Sequence, residues 1–187
     1  MIEFDEKNHI YKKDGIVLKS VTQILKELFP NKYENIPDKI LELKSEYGTK
    51  LHKCIEIIEK KKPKRPISYC KRYMGIDIYQ EQSLKDYLEI KKQYSIEVLE
   101  SEKIVSYNYN YAGTLDMIAL VNGKRAIIDI KTTYEFDEIY VSYQNSLYEL
   151  ANGKVDELYC LWLPKRKIGK LIEVKRINKD ILLEIIK

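Results

Sequence analysis

Asp116, Asp129 and Lys131 flank an Asn-Gly dipeptide in the stretch Tyr111-Ala-Gly-Thr-Leu-Asp116-Met-Ile-Ala-Leu-Val-Asn122-Gly123-Lys-Arg-Ala-Ile-Ile-Asp129-Ile-Lys131. Asn-Gly between two apolar, strand-like runs is the strongest local signal for a β-hairpin, usually with a two-residue type I′ turn. With Asn122 and Gly123 as the loop, Val121 opposes Lys124. Counting outward sets Asp116 against Asp129 as a non-hydrogen-bonded pair, with Cα atoms about 4.5 Å apart. The period of two places Lys131 on the face of Asp129, diagonal to Asp116. Two carboxylates opposed across a ladder repel, and neighbours such as Ile118 and Ile127 leave them poorly solvated. Three remedies exist: one carboxyl keeps its proton, the adjacent lysine offsets the charge, or a divalent cation sits between the oxygens. Carboxylates are hard ligands of the kind Mg2+ or Mn2+ takes, and those cations also bind phosphate oxygens. A lysine on the same face then stabilises an attacking hydroxide or the charge developing on phosphorus. Asp-x-Lys alone is a common surface pair on a strand. The hairpin register, Gly113-Thr114 before Asp116 and Ala126-Ile127-Ile128 before Asp129 set this one apart.

The elements that must hold these residues follow from periodicity. Alternation predicts strands over residues 96–106, 111–121, 125–131, 158–163 and 171–176, with a helix over 138–152 before the last two. Short extended segments at 2–4, 9–12 and 16–19 predict a small sheet or hairpin at the start. Ser20 is placed to N-cap a helix over 21–29, in which Val21, Ile24, Leu25 and Leu28 fall at helical spacing and which Pro30 ends. A longer helix over 38–61 carries Leu51, Ile55 and Ile58 as its core stripe, with Gly48 interrupting it. Lys60-Lys61-Lys62-Pro63-Lys64-Arg65-Pro66 breaks that helix; its charge suits a nuclear localisation string, a phosphate-contacting loop or a solvated connection. Helices over 83–94 and 179–186 complete the pattern. The expected fold is α/β, a central mixed β-sheet flanked by helices with a short N-terminal β-hairpin, in a single domain spanning residues 1–187.

Composition narrows the function classes. A chain of 187 residues with 44% hydrophobic residues can bury a core without disulfides or a structural metal. Cys54, Cys70 and Cys160 are scattered and form no C-x-x-C, which excludes a disulfide framework, a zinc ribbon or a four-cysteine iron–sulfur cluster as the organising principle and suits a reducing compartment. The first residues are acidic and the longest apolar run, residues 158–163, is far below spanning length, so neither secretion nor membrane insertion is expected. A net charge of +4 is common to many nucleic-acid enzymes and to many proteins without such a partner. The 16 tyrosines suit base stacking, but beside abundant Lys, Ile and Asn they also follow from an AT-rich coding sequence.

In chain order, Gly113-Thr-Leu-Asp116, Ile127-Ile-Asp129-Ile-Lys131-Thr-Thr and Gln144-x-x-x-Tyr148 resemble the motifs of the PD-(D/E)XK nuclease superfamily, in its RecB-like and phage-type exonuclease branch. Gly48-Thr-Lys-Leu-His52 is similar to that branch's helical histidine motif. His9-Ile-Tyr11, Gly15 and Ser20-Val-Thr-Gln-Ile-Leu25 are similar to the leader of its small phage members. The resemblance runs from about residue 9 to 148 and implies a restriction-endonuclease-like core. It makes Asp116, Asp129 and the Ile130 carbonyl the ligands of Mg2+ or Mn2+, His52 a further ligand or site histidine, and Lys131 the catalytic lysine. Gln144 and Tyr148, on one helical face, would border the site and contact substrate or brace Lys131. An acidic residue on the preceding strand is also implied. Glu102 is the choice, with Glu100 and Glu97 as alternatives. Taken without the resemblance, His52 beside its apolar stripe reads as a border residue, Gln144 and Tyr148 read as helix surface, and His9 and Tyr11 as structural.

The resemblance implies a metal-dependent deoxyribonuclease, an exonuclease using a Mg2+-activated water in phage-type recombination, replication or repair, in the cytoplasm of a bacterial or phage-infected cell. A single-strand annealing protein would be a partner in that setting. Lys61, Lys62, Lys64 and Arg65, with Lys165 and Arg166, would track a DNA backbone in salt-sensitive, sequence-independent binding. A non-catalytic nucleic-acid or protein-binding module retaining the fold predicts decay in the constellation, whereas His52, Asp116, Asp129, Lys131, Gln144 and Tyr148 are all present. A sequence-specific endonuclease would want a recognition subdomain, and no second domain is evident. The chain departs from the family pattern in three ways. It lacks the cysteine cluster of iron–sulfur members, so no cluster is expected; Lys19 stands where phage relatives often carry proline; and no helicase motif is present. Nothing in the residues marks an oligomeric interface.

Overall fold

Asn122 and Gly123 both take left-handed backbone, φ 49° and 83°, as a type I′ turn requires. They join β5 (Tyr111–Val121) to β6 (Lys124–Lys131) in the register the dipeptide predicts, Val121↔Lys124 outward to Met117↔Ile128. The computed structural model in which this is seen describes every residue except 1, 7 and 35. β4 (Glu97–Tyr107) pairs antiparallel with β5 along its length, and β7 (Glu157–Trp162) runs parallel to β6. That parallel pair needs a crossover, which α5 (Glu138–Asn152) supplies. β8 (Lys170–Glu173) then pairs antiparallel with β7. Residues 126–130 of β6 are buried without a break, as in a strand covered on both faces.

The start of the chain holds more than a lone hairpin. β1 (Ile2–Asp5), β2 (Ile10–Lys13) and β3 (Ile16–Ser20) form an antiparallel meander, and β3 joins β5 in a short parallel seam, Lys19↔Tyr111 and Ser20↔Ala112. One eight-stranded mixed sheet results.

α1 (Val21–Leu28) begins at the expected cap. Ser20 Oγ accepts the Gln23 N–H at 3.1 Å while the Gln23 side chain takes the Ser20 N–H at 2.7 Å, a reciprocal box worth about 1 kcal/mol. α2 (Asp38–Lys61) spans the expected residues and stops at left-handed Lys62, followed by Pro63. α3 (Pro66–Met74) fills a stretch with no predicted element; Pro66 suits a first turn and Gly75, at φ 58°, ends it. α4 (Ile78–Gln93) starts five residues before the expected Ser83, because Asp77 and Gln80 form a second capping box. α6 (Lys179–Ile185) closes the chain.

Helices cover both faces of the sheet. Leu51, Ile55, Leu84 and Tyr87 from α2 and α4 pack on Met117, Ala119, Ile128 and Ile130. Val21, Leu25, Leu147 and Leu182 from α1, α5 and α6 pack with Leu115, Ile118, Ile127 and Leu158. Each fully buried Leu or Ile contributes about 1.5–3 kcal/mol, which fixes the helices on the strands. Between α2 and α4 the buried Glu59 accepts the Tyr87 hydroxyl at 2.6 Å and pairs with Lys91. No described helix is long and apolar enough to cross a membrane.

Candidate functional site

β5 and β6 separate just short of the predicted carboxylate pair. Their ladder ends at Met117↔Ile128, and Asp116 Oδ2 accepts the Ile130 backbone N–H at 2.6 Å. Alternation slips at the same place. Leu115 and Ile118, three apart, both belong to the α5-side cluster, while Met117 joins the one beneath α2. Like charges opposed across an apolar ladder repel, and the splay lets each carboxylate take its own partner.

For Asp129 that partner is Lys131. The ammonium lies 3.0 Å from Oδ1 in hydrogen-bond geometry and 2.7 Å from Oδ2 without it, so the buried Oδ2 has no hydrogen-bond partner. Asp129 is 3% exposed; burial pushes its pKa up to about 6 against the pull of Lys131, and Asp116 adds to the rise. Burial also opposes the Lys131 charge, but Asp129 and Asp116 overcome it and raise the ammonium pKa. For Asp116 the partner is the His52 imidazole, whose Nδ1 stands 3.3 Å from Oδ1 and which carries a charge only when protonated. Burial would raise the Asp116 carboxyl, yet His52, Lys131 and the Ile130 N–H hold it below its usual range. The same contact lifts His52 above its ordinary value despite burial.

Glu102 lies across β4 from Asp116, between the pairs Ser101↔Met117 and Lys103↔Leu115. Its φ of 53° puts a non-glycine residue in left-handed backbone inside a strand, a strained arrangement of the kind that clusters at sites. Ligand atoms of His52, Glu102 and Asp116 all lie within 4.8 Å of one another. Burial, then the Asp116 charge, push Glu102 up to about 7. Glu100 is engaged with Lys103 at 3.0 Å and Glu97 is exposed at the strand start, so of the three glutamates Glu102 is the one at the site. His52, Glu102 and Asp116, with the Asp129 carboxylate that feels the Asp116 charge, make an oxygen-rich donor set of one imidazole and three carboxylates, chemistry that suits a hard divalent cation.

α5 brings Gln144 and Tyr148 inward rather than onto a helix surface; they are 8% and 5% exposed. Gln144 Oε1 is buried with no hydrogen-bond partner. Burial and both aspartates raise Tyr148 well above the usual phenol range, which keeps its hydroxyl protonated. Tyr148 reaches this position only because residue 113 is glycine: a Cβ there would meet Tyr148 Cε1 at 2.9 Å and Val21 Cγ2 at 3.0 Å. Gly48 has a similar reason, since its Cβ would meet Thr132 Oγ1 at 3.0 Å where α2 crosses the end of β6. Tyr11 is buried as a structural residue should be, but its hydroxyl also sits 2.9 Å from Thr114 Oγ1, two residues before Asp116, and its phenol feels the Glu102 charge. The sequence signal for that contact was only the Gly-Thr beside Asp116.

The basic residues divide. Lys61, nine residues beyond His52, stands about 14 Å further along the α2 axis, and Lys62, Lys64 and Arg65 follow it, so this string is not brought to the carboxylates. Lys165 and Arg166 lie in the β7–β8 connection, just beyond Trp162, the ladder partner of Lys131.

No family model matches this chain, and no curated protein matches it. Among solved structures there is a likeness to "Crystal structure of SSO0001", at 15% sequence identity and a TM-score of 0.37, covering 73% of this chain and 70% of that one.

Proposed function

We propose that this chain is a metal-dependent deoxyribonuclease, acting as an exonuclease. The observation that carries the reading is the convergence of Asp116, Glu102, Asp129, His52 and Lys131 where β5 and β6 part. This is the residue set the resemblance to PD-(D/E)XK nucleases implies, and the exonuclease mode rests on that resemblance. Asp116, Glu102 and Asp129, with His52, would hold Mg2+ or Mn2+, which when bound polarises a phosphate and lowers the pKa of a bound water. Lys131, kept charged by its aspartate partners, offsets charge gathering on the phosphate oxygens. His52 fixes one Asp116 oxygen and the Ile130 N–H the other, so the carboxylate cannot swing away. The protonated Tyr148 hydroxyl and the buried Gln144 Oε1, which has no hydrogen-bond partner, would supply a donor and an acceptor beside the aspartates, on the α5 side.

The test is release of label from end-labelled linear DNA, beside circular duplex and circular single strands, with Mg2+, Mn2+ or EDTA. Wild-type protein is expected to release nucleotides from linear DNA only with metal, and Asp129→Asn to lose at least about a hundredfold in rate. Absence of release from any of these substrates, by folded protein with metal present, refutes the reading.

A further inference from the structure

The turn between β7 and β8 projects three cations onto aromatic rings from three other parts of the fold. Lys165 Nζ lies 5.3 Å from the Tyr47 ring and 4.7 Å from the Tyr79 ring, and the Arg166 guanidinium 5.1 Å from Tyr79. On the other flank Lys167 Nζ is 3.6 Å from the Tyr134 ring and 5.6 Å from that of Trp162, and donates to the Tyr134 carbonyl at 2.8 Å. The turn is anchored rather than loose, because the Gly169 N–H donates at 2.7 Å to Asp86, a buried carboxylate on α4. Among the described residues Arg166 and Lys167 make no ion pair, and Lys165 has only Asp77 at 3.9 Å. Lys165, Arg166 and Lys167 are exposed, and Tyr134 is 61% exposed.

This band adjoins the carboxylate site. The Leu163 N–H donates to the Lys131 carbonyl at 2.7 Å, Trp162 Nε1 donates to the Thr133 carbonyl at 2.8 Å, and Tyr47 precedes Gly48, which abuts Thr132. Charge beside ring, repeated along a surface, matches one polyanion in particular. A single-stranded nucleic acid offers a phosphate beside each unpaired base face, whereas a duplex keeps its base faces stacked internally.

We infer that the β7–β8 turn, with Tyr79, Tyr134 and Trp162, is a ledge that binds single-stranded nucleic acid next to the carboxylate site. The cations hold phosphates and the rings stack on bases. The ledge deepens the nuclease reading, and rests on it only for where the strand leads.

Trp162 is the chain's one tryptophan, so its emission reports on the ledge directly. Protein in EDTA is titrated with oligo(dT), oligo(U) and a blunt DNA duplex of equal length. Quenching by a single strand is expected, with the duplex bound at least tenfold more weakly. Affinity should fall about a hundredfold per tenfold rise in salt, as three phosphate contacts imply, and Lys167→Ala should flatten that slope. Tyr79→Leu and Tyr134→Leu should each weaken binding about tenfold. The oligo(dT) and oligo(U) arms distinguish DNA from RNA. Failure of single strands to bind, equal or tighter duplex binding, or tyrosine variants indistinguishable from wild type overturns the ledge. If metal-dependent cleavage persists alongside such a result, the nuclease reading survives without it. Binding as described with no cleavage upholds the ledge and removes the nuclease reading.

Discussion

Alanine at Gly113 and at Gly48 should have opposite effects on stability, although both glycines relieve a close approach. At Gly113 the added Cβ meets Tyr148 Cε1 at 2.9 Å and Val21 Cγ2 at 3.0 Å. Tyr148 and Val21 are 5% and 1% exposed, and a valine in a helix has essentially one rotamer, so neither can yield without moving α5 or α1. Overpacking of this kind costs about 1–3 kcal/mol, offset by about 0.5–1 kcal/mol from the lower chain entropy of alanine. Because both contacts are to side chains that cannot yield, the upper part of the resulting range of about 0–2.5 kcal/mol is expected, a net loss of at least about 1 kcal/mol, or roughly 2–10 °C in Tm for a chain of this size. At Gly48 the neighbour is one partly exposed hydroxyl, Thr132 Oγ1 at 3.0 Å, which can rotate away. Alanine in a helix interior gains about 1 kcal/mol over glycine, so Gly48→Ala should leave stability unchanged or raise it by up to that amount. Urea and thermal unfolding of the two variants and wild type, in one metal-free buffer, decide the matter. A Gly113→Ala protein as stable as wild type, or two variants shifting together, would refute the packing argument.

Two further perturbations follow from charge. Glu102 has a folded-state pKa raised to about 7, so its carboxyl favours the folded state when protonated, and that contribution is lost as pH rises through 7. Glu102→Gln should therefore be more stable than metal-free wild type above pH 7, by about 1–2 kcal/mol, with the advantage gone below pH about 4.5; denaturant midpoints across pH that stay parallel would contradict this. Lys91→Met leaves the buried Glu59 with only the Tyr87 hydroxyl and should cost about 2 kcal/mol, while adding Glu59→Gln restores most of it. Urea midpoints for the single and double variants measure that coupling, and a neutral Lys91→Met would show the pair to be idle.

Local chemistry made the central hairpin readable. Asn122-Gly123 sets a register by itself, and Ser20 with Gln23 marks a helix start within four residues. α3 escaped because it is a nine-residue helix whose stripe, Ile67, Cys70 and Met74, is short and only partly buried, and it directly follows the Lys/Pro-rich string. Gln144 and Tyr148 read as surface because the buried face of α5 also carries Ser142, Asn145, Ser146 and Glu149, which blurs hydrophobic periodicity. Parity left Glu100 and Glu102 equal, and both lie beyond the register shift after Val98; what separates them is the strand pairing, which sets Glu100 against Ile118 and Glu102 level with Asp116, and the left-handed backbone at Glu102. The reasons for Gly48 and Gly113 lie on other elements, Thr132 and Tyr148, which no reading of either segment alone supplies.

The two-pair seam between β3 and β5 bears on how the chain assembles as it is made. Lys19 and Ser20 pair with Tyr111 and Ala112, about ninety residues downstream, and Tyr11 and Leu18 pack on Ala112. At roughly 5–20 residues per second, the amino-terminal strands wait about 5–20 s for their docking strand to be synthesised. β4, β5 and β6, neighbours in sequence, need no such wait and have the low contact order that favours early pairing. The amino-terminal meander is thus made well before the strand it docks on, and, held to β5 by two residue pairs, it is expected to open below the free energy of global unfolding.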